Sequence, residues 1–283
     1  MTYCKAIYNK AYRTFDQPFC LLPKYSKNLN TKIYGICLFF LLLQKVNTML
    51  ENYNINKILF LDIETVPQFP SYEKQNDRIK KLWDKKAKNL KREEEDNAKN
   101  LYPRAGIYAE FGKIVCISVA FFHKEQLRVK SFYGKDEKVI LFDFKELLDK
   151  YFNTAEHLLC GHNAKEFDFP FIARRMLVNR VQIPKILDIA SKKPWEVNHL
   201  DTMQLWKFGD YKNYTSLNLL TALFDIPTPK DDIDGSDVWK VYWQDNDIER
   251  IKTYCEKDTI TVVRLFQCYR GEDYIQDEEI VIT

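Results

Sequence analysis

Residues 57–65 read Lys57-Ile-Leu-Phe-Leu-Asp-Ile-Glu-Thr65, an apolar run interrupted by two acids. The run is short, rich in β-formers and bounded by polar segments, with Pro67 and Pro70 beyond it, which predicts a buried strand over about 57–64. Side chains alternate along a strand, so Ile58, Phe60, Asp62 and Glu64 share one face and Leu59, Leu61 and Ile63 the other. A strand apolar on both faces belongs in the middle of its sheet. From about 72 to 100 the chain is dense in charge, including Lys80-Lys81, Lys85-Lys86 and Arg92 to Asp96. Leu82, Trp83 and Leu90 give only a thin apolar stripe, which predicts a solvated helix or helical hairpin inserted after the first strand.

Lys113–Phe122 and Gln126–Tyr133 predict two more strands, antiparallel because the link His123-Lys124-Glu125 is tight. Val139, Leu141, Phe142, Phe144, Leu147, Leu148 and Phe152 mark an amphipathic helix over 136–152. His157–Cys160 predicts a strand that runs into Gly161-His162-Asn163 and then a helix from about Phe167 to Asn179. Leu200–Leu205 suits a short strand or a helix. Ser216 is placed to cap a helix over 217–224, and Asp237–Tyr242 suits a short one. The last long helix spans about Asp245 to Tyr269, followed by an acidic tail over 271–283. Strands first, helices later and an αβ crossover between them predict an α/β fold with a mixed central sheet.

Composition adds little to this pattern except at the N-terminus. Of 283 residues 46% are hydrophobic, with 17 Tyr and 19 Phe, enough for a packed core. The net charge of +3 is uneven: residues 1–48 hold seven Lys/Arg against Asp16 alone, leaving residues 49–283 at −3. A nucleic-acid role therefore has to rest on a local site and not on bulk charge. The apolar stretch Ile33–Leu43 is 11 residues long, too short to span a bilayer, which takes about 20. It lies too deep, and lacks the cleavage signal, for a secretory leader. Residues 1–48 are expected to be an extension outside the fold, with Met49 as the native start. The seven Cys are odd in number and without C-x-x-C spacing, which points to a reducing, cytoplasmic compartment. The four His do not cluster with them as zinc ligands would.

Three pieces of the sequence carry candidate chemistry. Asp62 and Glu64, side by side on a buried strand, repel each other and are costly to desolvate. A divalent cation is the usual compensation, although the pair alone equally suits a strand end that reaches solvent. In the last helix the apolar stripe Ile251, Cys255, Val262, Leu265 encloses Asp258, which needs a metal or a buried basic partner. Tyr254 sits one turn before it on the same face. Asp168 opens a helix just after a strand, where an acid also serves as an N-cap or dipole charge.

Taken in order, Asp62-x-Glu64, Asn163-x3-Phe167-Asp168 and Tyr254-x3-Asp258 resemble the DEDD superfamily of 3′-5′ exonucleases. The tyrosine four before the last aspartate is the mark of its DEDDy branch. The likeness covers about residues 56–270. Lys57–Pro67 and Tyr254–Asp258 look closest to the proofreading exonuclease of family B DNA polymerases. Phe111–Ser118 and His199–Trp206 look like the stand-alone bacterial proteins related to that domain. The resemblance implies a ribonuclease H-like fold and two divalent cations, Mg²⁺ or Mn²⁺, that activate water and stabilise the leaving oxygen. It implies that Asp62 bridges both ions, that Glu64 and Asp258 complete the first, and that Asp168 holds the second, partly through water. Tyr254 would orient the attacking water. Backbone at Ile63 and Thr65 would meet the terminal 3′ hydroxyl, and Asn163 and Phe167 the last nucleotides, Phe167 by stacking. Lys165, Arg174, Arg175 and Lys257 are candidate phosphate neighbours, and His162 a residue bonded to backbone and not to metal.

The implied activity is phosphodiester hydrolysis at single-stranded 3′ ends, with DNA favoured, a DNA-repair setting and no membrane association. An RNA-trimming exonuclease of the ribonuclease D type is the alternative substrate class, since 2′-hydroxyl contacts are not legible. A non-catalytic nucleic-acid-binding module, or a structural metal protein, is the alternative outside enzymes. Protein partners and oligomeric state are not legible either. For the N-terminus, intact mass of the protein purified from its own host is expected to fit a chain beginning at Met49. A mass fitting Met1 would refute that start.

Overall fold

The computed structural model describes residues 50–283 apart from 125, 211 and 228–232. The expected N-terminal extension, residues 1–48 with Met49, lies outside the described residues. Six strands form one mixed sheet in the order β5-β4-β1-β2-β3-β6. Strand β1 is Ile58–Pro67, β2 Gly112–His123, β3 Gln126–Tyr133, β4 Leu158–Gly161, β5 Leu200–Asp201 and β6 Ile280–Ile282. The first three form an antiparallel meander, while β4 runs parallel to β1 and β5 parallel to β4. This is the α/β layout with a mixed central sheet that the order of strands and helices predicts.

β1 is central, as its two apolar faces require, and Ile58, Leu59, Phe60 and Leu61 are fully buried. Burying side chains of this size is worth about 1.5–3 kcal/mol each. Leu59, Leu61 and Ile63 enter the larger core, with Phe144 and Leu148 of helix α2 (Glu137–Tyr151) and Phe169 and Ile172 of α3 (Asp168–Val178). Ile58 and Phe60 face the long helix α6 (Ile248–Tyr269), where Phe60 meets Phe266 edge-on at 5.4 Å between ring centres. Farther along the same face, Val66 and Cys116 pack on Ile251 and Cys255 of α6.

Several expected elements differ in detail. In α2 the core positions are Ile140, Leu141, Phe144 and Leu148, whereas Val139 and Phe142 point outward, 53% and 52% exposed. Both angles lie a third of a turn from the buried stripe, which a list of apolar residues does not reveal. The charged insertion holds one helix, α1 (Asp77–Lys88), and is not simply solvated. Trp83 is fully buried, donates its indole N–H to the Ala98 carbonyl at 2.7 Å, and packs edge-on against Tyr102 and Phe111. The insertion thus has its own small core. Leu200–Leu205 is both strand and helix, β5 running into α4 (Thr202–Lys207), and Ser216 caps α5 (Leu217–Leu223) by accepting from the Leu219 amide. The last helix starts later than expected: Asn246 takes a left-handed φ of 54° after a π-helical turn over Val241–Asp245, and Asp247 caps α6. The acidic C-terminal segment turns back along α6, tied by the buried Arg264 to the Ile275 carbonyl and to Asp277. It ends as β6, parallel to β3.

At the end of the sheet where β1 leaves and β2 enters, Glu137 and Arg175 form a buried two-pronged ion pair with bonds of 2.8 and 2.6 Å. Glu137 also accepts from the Ile114 amide and from Asn179, and Arg175 also donates to the Ala109 carbonyl and to Gln68. Removing one member strands a buried charge. Glu137→Gln is expected to lower unfolding stability by about 3–5 kcal/mol, read from urea denaturation with an unchanged slope. A loss below about 1 kcal/mol, the scale of an exposed pair, would show the pair to be screened.

Candidate active site

Asp62 and Glu64 leave β1 on the face covered by α6, beyond the last residue that β4 pairs with. β2 follows this end of the strand through a bulge. Glu64 pairs with Cys116 and Thr65 with Ile114, so Val115 has no partner on β1. Bulges add local twist and re-aim side chains, and here consecutive residues Val115 and Cys116 both pack toward α6. Facing them, α6 presents Tyr254, Cys255 and Asp258 on one side at the four-residue spacing of a helix. Asp62, Glu64 and Cys255 each bring one ligand atom to within 4.8 Å of the other two. The Cys255 thiol lies 3.5 Å from the Asp62 carboxylate and 3.4 Å from the Asp62 carbonyl, as donor to both.

Asp168 comes from a third element. It is buried at the first turn of α3, and the Ile63 amide of β1 is bonded to its carboxylate. The helix is aimed by the turn before it. Gly161 ends β4 so tightly against Ala164 that an added Cβ would sit 2.5 Å from the Ala164 Cβ. Asn163 then takes a left-handed φ of 62°. Asp201, at the end of β5, fixes this turn by accepting from the Asn163 and Lys165 amides, both at 3.0 Å. The same carboxylate caps α4 through the Met203 and Gln204 amides. Asp201 is a positioning residue that the motif pattern alone misses. The signal for it is an acid directly before a helical run, in His199-Leu-Asp-Thr.

The electrostatics show carboxylates in one another's field. Burial holds the Asp62 carboxyl well above its usual range, and the charges of Asp168 and Asp258 push it further. Glu64 is raised by burial, then by Asp62 and Asp258. The largest influences on these two acids are burial and other acidic groups. Asp168 is pushed up to about 8, by burial first and then by Asp201, against backbone hydrogen bonds that hold it down. Tyr254 is raised by burial and then by Asp258, Glu64 and Asp62, and its phenol is hydrogen-bonded to Asp258. Asp168 and Asp258 thus act electrostatically on Asp62 and Glu64, and Asp258 on Tyr254, while the ligand atoms within 4.8 Å of one another belong to Asp62, Glu64 and Cys255.

The four expected substrate contacts lie on β1 and in the turn that leads into α3. The Ile63 amide is directed at Asp168. Thr65 follows Glu64 on β1 and is half-buried. Asn163 has a buried Oδ1 that accepts no hydrogen bond. Phe167 is half-buried against the larger core, its ring 5.4 Å from that of Phe171. Of the candidate phosphate neighbours, Arg175 is consumed by Glu137, Arg174 is exposed and Lys165 is partly desolvated, which lowers its pKa. His162 bridges Thr202 and the Thr215 carbonyl, and burial holds it toward the neutral form.

Residues 107–277 match a family described as predicted 3'-5' exonucleases related to the exonuclease domain of PolB. The chain belongs to this family. The matched span of this exonuclease-family chain includes Asp168, Tyr254 and Asp258 and begins after β1, which carries Asp62 and Glu64. Among solved structures, the family B DNA polymerase from the hyperthermophilic archaeon Pyrobaculum calidifontis aligns at 14% identity with a TM-score of 0.40, over 73% of this chain and 24% of that one. The chain thus spans about a quarter of that polymerase's length. No curated protein matches it.

Raised acid pKa values fix the sign of a pH effect. Asp168 titrates near 8 when folded and near its ordinary value of about 4 when unfolded, so the folded state binds the extra proton between those limits. In EDTA, stability is expected to fall as pH rises from about 4 toward 8 and then level, with Asp168→Asn flattening the decline. Millimolar Mn²⁺ should offset it by binding the ionised carboxylates. Urea midpoints that rise over this range in EDTA would contradict the assigned burial.

Proposed function

We propose that this chain is a metal-dependent 3′-5′ exonuclease that hydrolyses phosphodiester bonds at single-stranded 3′ ends, with DNA as the favoured substrate. The observation that carries the reading is that carboxylates from three elements act on the two acids of β1: Asp168 of α3 and Asp258 of α6 raise Asp62, and all three raise Glu64. Like charges this close need positive charge to ionise together. The donor set is dominated by carboxylate oxygens, which suits Mg²⁺ or Mn²⁺. Asp62, Glu64 and Asp258 would hold one ion and Asp62 and Asp168 a second. Bound there, two such ions would supply an activated water and charge neutralisation at the leaving oxygen.

The chain's own residues account for the remaining tasks. Tyr254 keeps its phenolic proton at every working pH, because burial and three carboxylates oppose its loss. It therefore acts as a hydrogen-bonding guide for a water, not as a general base. Asp201 holds the turn that delivers Asp168 and Asn163. The unsatisfied Asn163 Oδ1 is an acceptor looking for a donor, which a terminal sugar or base provides. Phe167 offers a ring edge beside it for the last base. Backbone at Ile63 and Thr65 lies next to the acids, where the terminal 3′ hydroxyl would sit.

The test uses single-stranded DNA and RNA labelled at either end, with Mg²⁺ or Mn²⁺. Mononucleotides should leave from the 3′ end, faster from DNA, and Asp62→Ala and Asp258→Ala should each reduce the rate by more than about a hundredfold. Tyr254→Phe should slow hydrolysis by about tenfold, less than loss of a full acid–base catalyst, with Mn²⁺ affinity retained. Activity surviving both aspartate substitutions, or release from the 5′ end, would overturn the reading.

A further inference from the structure

Outside the acid cluster, Lys113 at the start of β2 is a buried charge without a counter-charge of its own among the described residues. Its side chain is only 8% exposed. Its ammonium bonds to the neutral Tyr242 hydroxyl at 2.8 Å and lies 4.6 Å and 4.7 Å from the ring centres of Tyr242 and Trp243. Among the described residues it makes no ion pair. Glu137 is the acid nearest in effect, but both of its oxygens are already bonded to Arg175. Lys113, Arg175 and Glu137 are thus three buried charges summing to +1. A buried lone cation is costly and marks a place where an anion belongs. Desolvation lowers the Lys113 pKa, the direction expected of an ammonium lacking its counter-charge.

Lys113 lines a cavity of about 640 Å³ between the end of β1 and the starts of α1 and α2, along with Gln68, Asn76, Lys135, Lys138 and Arg175. Lys135 and Lys138 stand exposed on its rim. Against the four cations of the lining stand three carboxylates, Glu110, Asp136 and Glu137, so the cavity keeps a net charge of +1. The cavity is also placed along the course of the candidate active site. Lys113 pairs with Val66, four residues beyond Asp62 on the same strand, about 13 Å away at strand spacing. Trp243, stacked on the ammonium, donates to the Pro67 carbonyl at 3.0 Å, so the cation is clamped to β1 itself.

We propose that this cavity binds a phosphate group through Lys113, and that the phosphate belongs to the substrate strand upstream of the cleaved bond. The assignment to the strand rests on the exonuclease reading, while the phosphate chemistry does not. A second anchor beyond the acids would hold the strand while its end is drawn into a cluster whose own charge repels it.

The experiment measures binding of a fluorescein-labelled decathymidylate in EDTA, where metal-dependent hydrolysis is silent, as a function of salt. Lys113→Met should weaken binding about tenfold, the scale of one charge-assisted hydrogen bond. It should also reduce the steepness of the salt dependence by about 0.7, one single-strand phosphate contact. Because Lys113 is buried, Lys135→Gln/Lys138→Gln on the exposed rim serves as a variant that keeps the fold, and it should weaken binding in the same direction. Inorganic phosphate should compete with the strand for wild-type protein and not for Lys113→Met. Equal affinity and salt slope in wild type, Lys113→Met and the rim variant would overturn the proposal. Phosphate binding that depends on Lys113 while strand binding does not would overturn the strand assignment and leave a site for free phosphate or a nucleotide. Failure of the exonuclease reading shows separately, as wild-type protein that releases no mononucleotide in Mn²⁺.

Discussion

Carboxylates that cannot all be ionised without help sit on the most buried strand of the sheet, and much of the architecture follows from that constraint. β1 has to be central to bury Ile58 to Leu61, and being central it carries Asp62 and Glu64 into the interior. There burial and the charges of Asp168 and Asp258 push both toward the protonated form. The fold tolerates this arrangement because its apolar faces are large: two separate cores, one on each side of β1, hold the strand in place. Stability is thus supplied away from the acids and spent at them, the division expected where a site is strained for function.

The supports of the site are specific and few. The Ile63 amide ties Asp168 to the strand that bears Asp62. Asp201 fixes the turn before α3 and the start of α4 with a single carboxylate. The bulge at Val115 lets β2 offer two successive residues to α6, which closes the apolar floor beneath the acids. Each device acts on backbone direction, so each is felt as the aim of a side chain some distance away.

How much of this was legible in the sequence depended on range. β1 and its two faces followed from alternation within ten residues, and the place of Asp258 and Tyr254 on α6 from helical spacing alone. Element boundaries set by left-handed residues were not legible: nothing in Asn246 announces that α6 begins at Ile248. Trp83 looked like part of a thin stripe because its partners Ala98, Tyr102 and Phe111 are far along the chain. β6 was hidden for the same reason, being three residues after an acidic segment whose partner strand lies about 150 residues earlier. Cys255 was counted as a small hydrophobe of the stripe, and only the folded chain shows its thiol against Asp62. Arg175 reads in the sequence as a candidate phosphate neighbour, but burial with Glu137 makes it a girder of the sheet's end.

α6 has a consequence of another kind. It spans 22 residues and touches the sheet at both ends, through Phe266 on Phe60 and through Ile251 near Val66, with Asp258 between the two anchors. A helix turns by about 100° per residue, so gaining or losing one residue between Asp258 and Phe266 would turn Asp258, and the Ile251 anchor with it, by that angle relative to Phe266, and the two ends could no longer both face the sheet. Length can drift in the loops before α6 at little expense. Inside it, residue count sets where the carboxylate points as directly as residue identity does.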